Sequence, residues 1–391
     1  MRTNSRQQIS RVLFTLLSFV QIAMLFALAV ENMELERVCS YAIMFLGAGL
    51  FTYSFVADAR LRRGDLYLLL MFCVLPLVAV YQQWPYRVLV GALCFILMVT
   101  VWRSAGIVDN TRVLVKMLCR TFIIQGAVLI GLFFSAYAYK GYTEYEAVAH
   151  ELTLGFDNPN QTGIILFSTL AILLLVQQKK MVNKYWNALI LFEVGCLSVL
   201  LILTRARVSI IGYLVFLFFL VFTTKRSVRN KHYVLADIML YVPLVFVFVY
   251  LLLQDSQLQK LHVMGKQLFS GRERVYTLVL SLWEDKMFGN AELFLFSNAH
   301  NSHLTILINI GIVGFLLYML YTTNAFNRFY AQCKTRQQIL CVVAILCLFV
   351  MGCGETAVLT GGTIYYVYIL TFVVLGGNER EDMVRRSDSL T

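Results

Sequence analysis

The sequence predicts an all-α integral membrane protein with about twelve transmembrane helices. Three observations carry this. Of the 391 residues, 59% are hydrophobic and only 14% charged, and the mean hydropathy is +0.72. A soluble domain averages about 45–50% apolar and about 25% charged. Second, apolar stretches long enough to cross about 30 Å of hydrocarbon recur along the whole chain. They lie near residues 12–30, 38–57, 66–81, 87–102, 115–137, 162–177, 185–203, 208–224, 233–253, 304–323, 338–353 and 357–376. Third, lysine and arginine concentrate in alternate connections, as they do in membrane proteins whose basic loops stay in the cytoplasm.

The first stretch follows a basic segment, Met1 to Arg11, and ends in Ala27-Leu28-Ala29, which fits a signal-peptidase pattern. Its apolar run is about 18 residues, longer than the roughly 7–15 of a secretory signal. It is read as an uncleaved first span. With the N-terminus inside, the cytoplasmic segments collect 23 of the 33 basic residues, including Arg60, Arg62 and Arg63, Lys225 to Lys231, and Arg328, Lys334 and Arg336. The outside keeps Arg37, Arg87, Lys140, Arg205, Arg207, Lys260, Lys266, Arg272, Arg274 and Lys286. Both termini then lie in the cytoplasm, with a cytoplasmic tail at 377–391. The net charge of +11 is explained by this bias and does not point to nucleic acid. The nine cysteines show neither a disulfide framework nor zinc spacing. They read as small core residues.

The whole chain, 1–391, reads as one polytopic domain with two long external loops, at 138–161 and 254–303. No cytoplasmic segment is comparable, so a site is expected outside. Arg205 and Arg207 lie in "LTRARVS", between the seventh and eighth stretches, against the positive-inside trend. They are either snorkelling at a helix end or holding an anion. Arg272 and Arg274 follow a Ser270-Gly271 turn and open an amphipathic pattern. That pattern fits either a solvated interfacial helix or an anion site. An arginine fork grips phosphate in two-pronged fashion. The acidic residues of the large loop are scattered and form no Asp-x-Asp motif, which disfavours a metal-bound diphosphate, so no cofactor or metal is expected.

His300 and His303 precede the tenth stretch. His300 can take or hold a proton near neutral pH, or simply cap a helix. His303 lies next to the apolar run and is expected to pack or bond locally. Asn301 is positioned to cap the helix. Gly311 and Gly314 are read as positions of close helix packing. In the first loop, Tyr137, Tyr139, Tyr142 and Tyr145 form a cluster suited to stacking on sugar faces or to an interfacial belt. The following "DNPNQTG" fits a helix start, with Asn158 as cap, Pro159 at the first helical position and Gln161 three residues on. Glu193, in mid-span, is a functional candidate by default.

Taken together, these residues resemble the O-antigen ligase and polymerase family of bacterial surface-polysaccharide assembly. The family's ligases carry His, then Asn, Ser or Gln, then nine residues and Gly-x-x-Gly. Here His300, Asn301 and the run from Gly311 to Gly314 match throughout. A Thr-x-Ser-Arg turn is represented by Thr204, Arg205, Ala206 and Arg207, without the serine, and a Ser-Gly-Arg element by Ser270, Gly271 and Arg272. The likeness covers most of the chain beyond about its first hundred residues. It implies a GT-C-like glycosyltransferase in the bacterial cell (inner) membrane, with a large extracytoplasmic loop between helices 9 and 10 and the active site on the external face. The donor would be a glycan on undecaprenyl diphosphate, and the acceptor a second such glycan. Arg207 and Arg272 would hold the diphosphate, and His300 would position or deprotonate the acceptor. Arg205, Arg274, Asn301, Tyr142 and Tyr145 would line the substrate. A flippase and a chain-length regulator are the implied protein partners. "GFDNPNQTG" resembles capsule and exopolysaccharide polymerases, which favours polymerisation of repeat units. Ligase-type transfer to another acceptor shares the motifs. A flippase for the same lipid-linked sugars would show internal repeats, and none is clear between residues 1–195 and 196–391.

Overall fold

The computed structural model describes residues 2–391 except 59, 63, 84–85, 109, 140–150, 157, 179–183, 225–230, 254–255, 257–260, 264–265, 268–271, 291–299, 356–362 and 378–391. Each of the twelve apolar stretches coincides with a helix. These are α1 (Arg2–Ala29), α2 (Met33–Ala57), α3 (Asp65–Tyr81), α4 (Tyr86–Ala105), α5 (Arg112–Phe133), α6 (Pro159–Gln178), α7 (Lys184–Leu203), α8 (Arg207–Phe222), α9 (Tyr233–Leu252), α11 (Ser302–Gln332), α12 (Arg336–Met351) and α13 (Thr363–Leu375). Among the described residues the large loop also holds a helix, α10 (Arg272–Ser281), and a two-stranded hairpin, β1 (His262–Val263) and β2 (Lys266–Gln267). Seven of these helices are long and apolar enough to cross a membrane, and α3, α8 and α12 are shorter apolar helices. The protein is therefore an α-helical membrane protein.

Hydrogen bonds between helix ends define two faces of the bundle. At one face Gln337 Nε2 donates to the Leu175 carbonyl (3.1 Å), Lys231 Nζ to Ala331 (2.5 Å), Asn110 Nδ2 to Leu375 (3.0 Å), and Arg336 to Leu220. At the other face the Leu152 amide donates to Leu203 (3.3 Å), Thr153 to Ala138 (3.0 Å), and Ser302 to Gly352 (2.9 Å). The chain thus alternates direction from helix to helix. Helix α6 is central, with 89% of its apolar window buried, whereas α7 and α9 bury only 28% and turn most of their surface outward. Inside the bundle Gln125 of α5 donates to Thr169 Oγ1 of α6 (2.6 Å) and to the Tyr368 hydroxyl of α13 (2.7 Å). Such interhelical bonds join helices that gain little from apolar contact in lipid. Six of the described cysteines are buried, Cys196 is partly so, and Cys73 is exposed.

Several local expectations are met by backbone chemistry. Asn158 Oδ1 accepts the Gln161 amide (2.9 Å), and α6 begins at Pro159. The fifth stretch stops short of residue 137, because Phe134 and Ser135 turn back onto the carbonyls of Gly131 and Leu132. The chain then returns as a strap, residues 151–156, buried at every position. Gly155, at φ +85°, crosses the end of α1 so closely that a Cβ would lie 2.2 Å from the Ala29 carbonyl oxygen.

At the opposite face the 58–65 connection is pinned by Arg103. Its guanidinium bonds Asp65 Oδ2 (2.5 Å) and the carbonyls of Arg60 (3.1 Å) and Asp58, and lies over the Phe55 ring at 4.4 Å. Both ionic side chains are only 2–3% exposed. Removing one partner of such a pair strands a buried charge and costs about 3–5 kcal/mol. Asp65→Leu or Arg103→Met alone should therefore lower the melting temperature in detergent strongly. The double substitution should recover much of the loss.

Candidate functional site

Arg207, Arg272 and His300 lie within electrostatic reach of one another in series, Arg207 beside Arg272 and Arg272 beside His300. Each is placed by a different device. Arg207 is the first residue of α8. The turn before it places Arg205 at φ +51°, and the Ala206 amide donates to Thr204 Oγ1 (3.1 Å). That turn rests on Gly163 of α6, where a Cβ would come within 2.6 Å of Ala206 Cβ and 2.9 Å of Ser209 Oγ. Arg272 opens α10 and donates to the Gly354 carbonyl (3.1 Å), just beyond the end of α12. Arg274, on the same helix, is exposed.

His300 is half-buried, with φ +46°, a left-handed conformation uncommon outside glycine. It is held there by its neighbour. Asn301 is fully buried, its Oδ1 accepts the Leu304 amide (3.0 Å), and its Nδ2 donates to the Pro243 carbonyl of α9 (2.7 Å). Both ends of the Asn301 side chain are thus tied to the protein, which fixes the start of α11 next to His300. Pro243 lies nine residues before the end of α9 at Leu252, about 14 Å at 1.5 Å per residue. The histidine therefore sits in a recess beside α9, well below the end of that helix and level with the end of α12, where the Gly352 carbonyl accepts the Ser302 amide (2.9 Å). Burial first, and the Arg272 guanidinium second, push the His300 imidazole down to about 4, so it is neutral at pH 7. Its buried Nδ1 has no hydrogen-bond partner among the described residues.

His303 is fully buried, with its ring 5.8 Å from Phe315, 6.3 Å from Tyr318 and 6.4 Å from Phe349. The two histidines are thus unlike: one faces the recess and the other packs in the core. Tyr137 and Tyr139 are each 45% exposed, while Tyr142, Tyr145 and the Ser270-Gly271 turn lie outside the described residues.

Gly311 and Gly314 do not serve as close-packing positions between two continuous helices. Gly311 has φ 67° and ψ −178°, and breaks α11. Only glycine readily occupies that region. Into the break runs the segment after α10: Asn290 donates to Ile308 (3.0 Å), and Lys286 and Met287 accept from Ile312 (3.0 Å) and Val313 (3.2 Å). The approach is reciprocal. A Cβ on Gly311 would lie 2.2 Å from the Met287 oxygen, and one on Gly289, at φ +89°, would lie 2.2 Å from the Asn309 oxygen. Gln82 Nε2 holds the crossing from α3 through the Gly289 carbonyl (2.8 Å).

Sequence reading missed Glu151. The buried strap carries it into electrostatic contact with Arg207, but a lone carboxylate in a polar loop has no local signature. It also missed Tyr276, fully buried on α10, beside Tyr250 at 5.7 Å and within reach of Arg272. The amphipathic pattern of α10 was the available signal for Tyr276. Among the described residues no three His, Cys, Asp or Glu side chains converge as metal ligands.

Beside Arg207 and Gly354 opens a cavity of about 750 Å³ between α8, α9 and α12. It runs from Val208, Phe246 and Cys353 at the arginine end to Thr223, His232 and Tyr330 at the opposite face. Its walls between are apolar. No protein-family model and no curated protein matches this chain.

Gly311→Ala and Gly289→Ala each place a methyl group against a backbone carbonyl in a glycine-only conformation. Each should cost at least about 1–3 kcal/mol, lower the melting temperature and expose the 282–290 segment to protease. Gly131→Ala, where nothing lies within 4 Å, is the control and should behave as wild type.

Proposed function

We propose that this protein is a membrane glycosyltransferase that polymerises undecaprenyl-diphosphate-linked repeat units into surface polysaccharide. The observation that carries the reading is the pairing of two cations with an apolar groove. Arg207 adjoins the lining residue Val208, and Arg272 bonds Gly354, which adjoins the lining residue Cys353, so both arginines lie near one end of a cavity whose apolar walls run toward the opposite face. A lipid diphosphate has the complementary form: two anionic phosphates on a long apolar tail. In this reading all twelve apolar helices span the membrane of a bacterial cell, in a GT-C-like arrangement. The His300 face is extracytoplasmic, and both termini are cytoplasmic with most of the basic residues.

The chemistry follows from the groups present. Arg207 and Arg272 fork onto the diphosphate and stabilise it as it leaves. Neutral His300 accepts the proton of the acceptor hydroxyl. The acceptor oxygen bonds the anomeric carbon, and the bond from that carbon to the diphosphate oxygen breaks. The lipid diphosphate supplies the driving force. As the diphosphate offsets the charge of Arg272, His300 becomes a better base, so donor binding prepares the site for the acceptor. Glu151 steadies Arg207. Arg205 and Arg274 are assigned to the sugars in this reading, as are Tyr142 and Tyr145, which lie outside the described residues.

The test is incubation of the purified protein with a synthetic undecaprenyl-diphosphate repeat unit, followed by sizing of the product. A ladder on the lipid carrier is expected. Transfer to a different acceptor without a ladder would mean a ligase, and movement between leaflets without new bonds a flippase. Arg272→Lys keeps the charge but loses the fork, worth on the order of 1.5–3 kcal/mol, and should lower activity about tenfold or more. Exposed Arg274→Lys should matter much less.

His300→Ala should lower the rate by roughly 10²–10⁴ while donor binding survives on the arginines. His303→Ala opens a core cavity, so it should reduce protein level yet leave polymer detectable per molecule. Ladder gels of a deletion strain complemented with each variant, normalised to protein amount, check both. A full ladder from His300→Ala removes the histidine from the mechanism.

A further inference from the structure

Glu193 of α7 takes no part in the recess. It is 2% exposed and faces α5. Its partner there is a notch. A Cβ on Gly126 would lie 2.6 Å from Glu193 Oε2 and 3.1 Å from its Cδ, with Leu197 beside them. The glycine makes room for the carboxyl group and offers it no charge. Oε2 has no hydrogen-bond partner among the described residues. The titratable groups on the surrounding helices are elsewhere. Cys119 of α5 is near enough to feel both Glu193 and Arg120, and Arg120 itself is exposed. Tyr213 of α8 bonds Ser198 (2.8 Å) instead. Helix α6 carries no ionisable side chain.

An unpaired carboxylate in a dry interior is among the most costly groups a membrane protein can hold. A neutral carboxylic acid is not. We propose that Glu193 is a proton-binding site: it fills the Gly126 notch as the neutral acid and clamps α5 to α7 in that form. The location gives the proton leverage. Helix α5 leads outward to Ala138, on which the 151–156 strap is hung, and α7 leads outward to the turn that presents Arg207. Losing the proton would part the two helices beneath both. This inference does not depend on the reaction catalysed.

The discriminating reagent is dicyclohexylcarbodiimide, which is apolar and reacts with protonated carboxyl groups. The carboxyl proton passes to one carbodiimide nitrogen while the carboxylate oxygen bonds the central carbon. Acyl migration to the other nitrogen then leaves a stable N-acylurea, with no leaving group. The full-length protein in nanodiscs should gain one adduct that maps to Glu193, is absent from Glu193→Gln, and is not formed by a water-soluble carbodiimide. Labelling should fall as pH rises. In parallel, Glu193→Gln, which mimics the neutral acid, should melt with wild type at mildly acidic pH, where the carboxyl group of the unfolded chain is protonated too. As pH rises from there the unfolded chain gives up this proton and the buried acid keeps it, so the wild type should melt progressively below the glutamine variant, already so at neutral pH. Three results would overturn the proposal: no adduct at Glu193, a glutamine variant that melts well below wild type at neutral pH, or melting temperatures that run parallel at every pH.

Discussion

In a medium that cannot hydrogen-bond, a chain that leaves helical geometry must find every backbone partner inside the protein. That constraint governs the candidate site. The break at Gly311 frees amide and carbonyl groups in the middle of an apolar bundle, and the 286–290 segment supplies the missing partners through three backbone bonds. The large loop is thereby fastened at depth and not merely at its ends. Helix α10, with Arg272, lies on one side of the crossing, and the turn with His300 lies on the other. The strap at 151–156 obeys the same rule, since its amides go to Leu203 and Ala138. Two segments that look like loops in sequence are thus pinned by backbone bonds to the helices around them.

Electrostatics then decide what the recess can do. Two guanidinium groups brought together repel, and each is supported by an oxygen: Glu151 for Arg207 and the Gly354 carbonyl for Arg272. Burial first, and the Arg272 guanidinium second, keep His300 neutral. Cations for an anionic group and an uncharged imidazole for a hydroxyl proton can then coexist at one pH. A protonated imidazole would strengthen the pull on an anion but could accept nothing.

Much of the framework was legible, because hydropathy and capping are local properties. The apolar stretches became helices in place. Asn158 and Asn301 cap as their residue types suggest. The arginines at 207 and 272 stood out because they oppose the charge bias of the chain. The helix break was not legible. A Gly-x-x-Gly run suits both tight packing and a kink, and only the arrival of Gly289 from another segment decides between them. Glu151 and the groove were hidden for a related reason. One depends on where a strap lands, and the other is formed by α8, α9 and α12, no one of which signals it alone.

The helices that flank the groove have a bearing on the surrounding lipid. Helices α8 and α12 have 16 residues each, about 24 Å of rise, against about 30 Å of hydrocarbon. Each falls short by about 6 Å. Hydrophobic mismatch of that size is relieved by local thinning of the bilayer, at a fraction of a kcal/mol per ångström. Helix α12 is mostly buried within the bundle, whereas α8 turns Ile211, Leu214 and Phe218 outward. In the proposed reading, where both helices span, lipids beside α8 are compressed, and a long-tailed lipid entering there has less distance to descend than one approaching the thicker side of the bundle. Acyl-chain length of the host membrane thus becomes a variable that acts on the mouth of the groove without touching a single side chain in it.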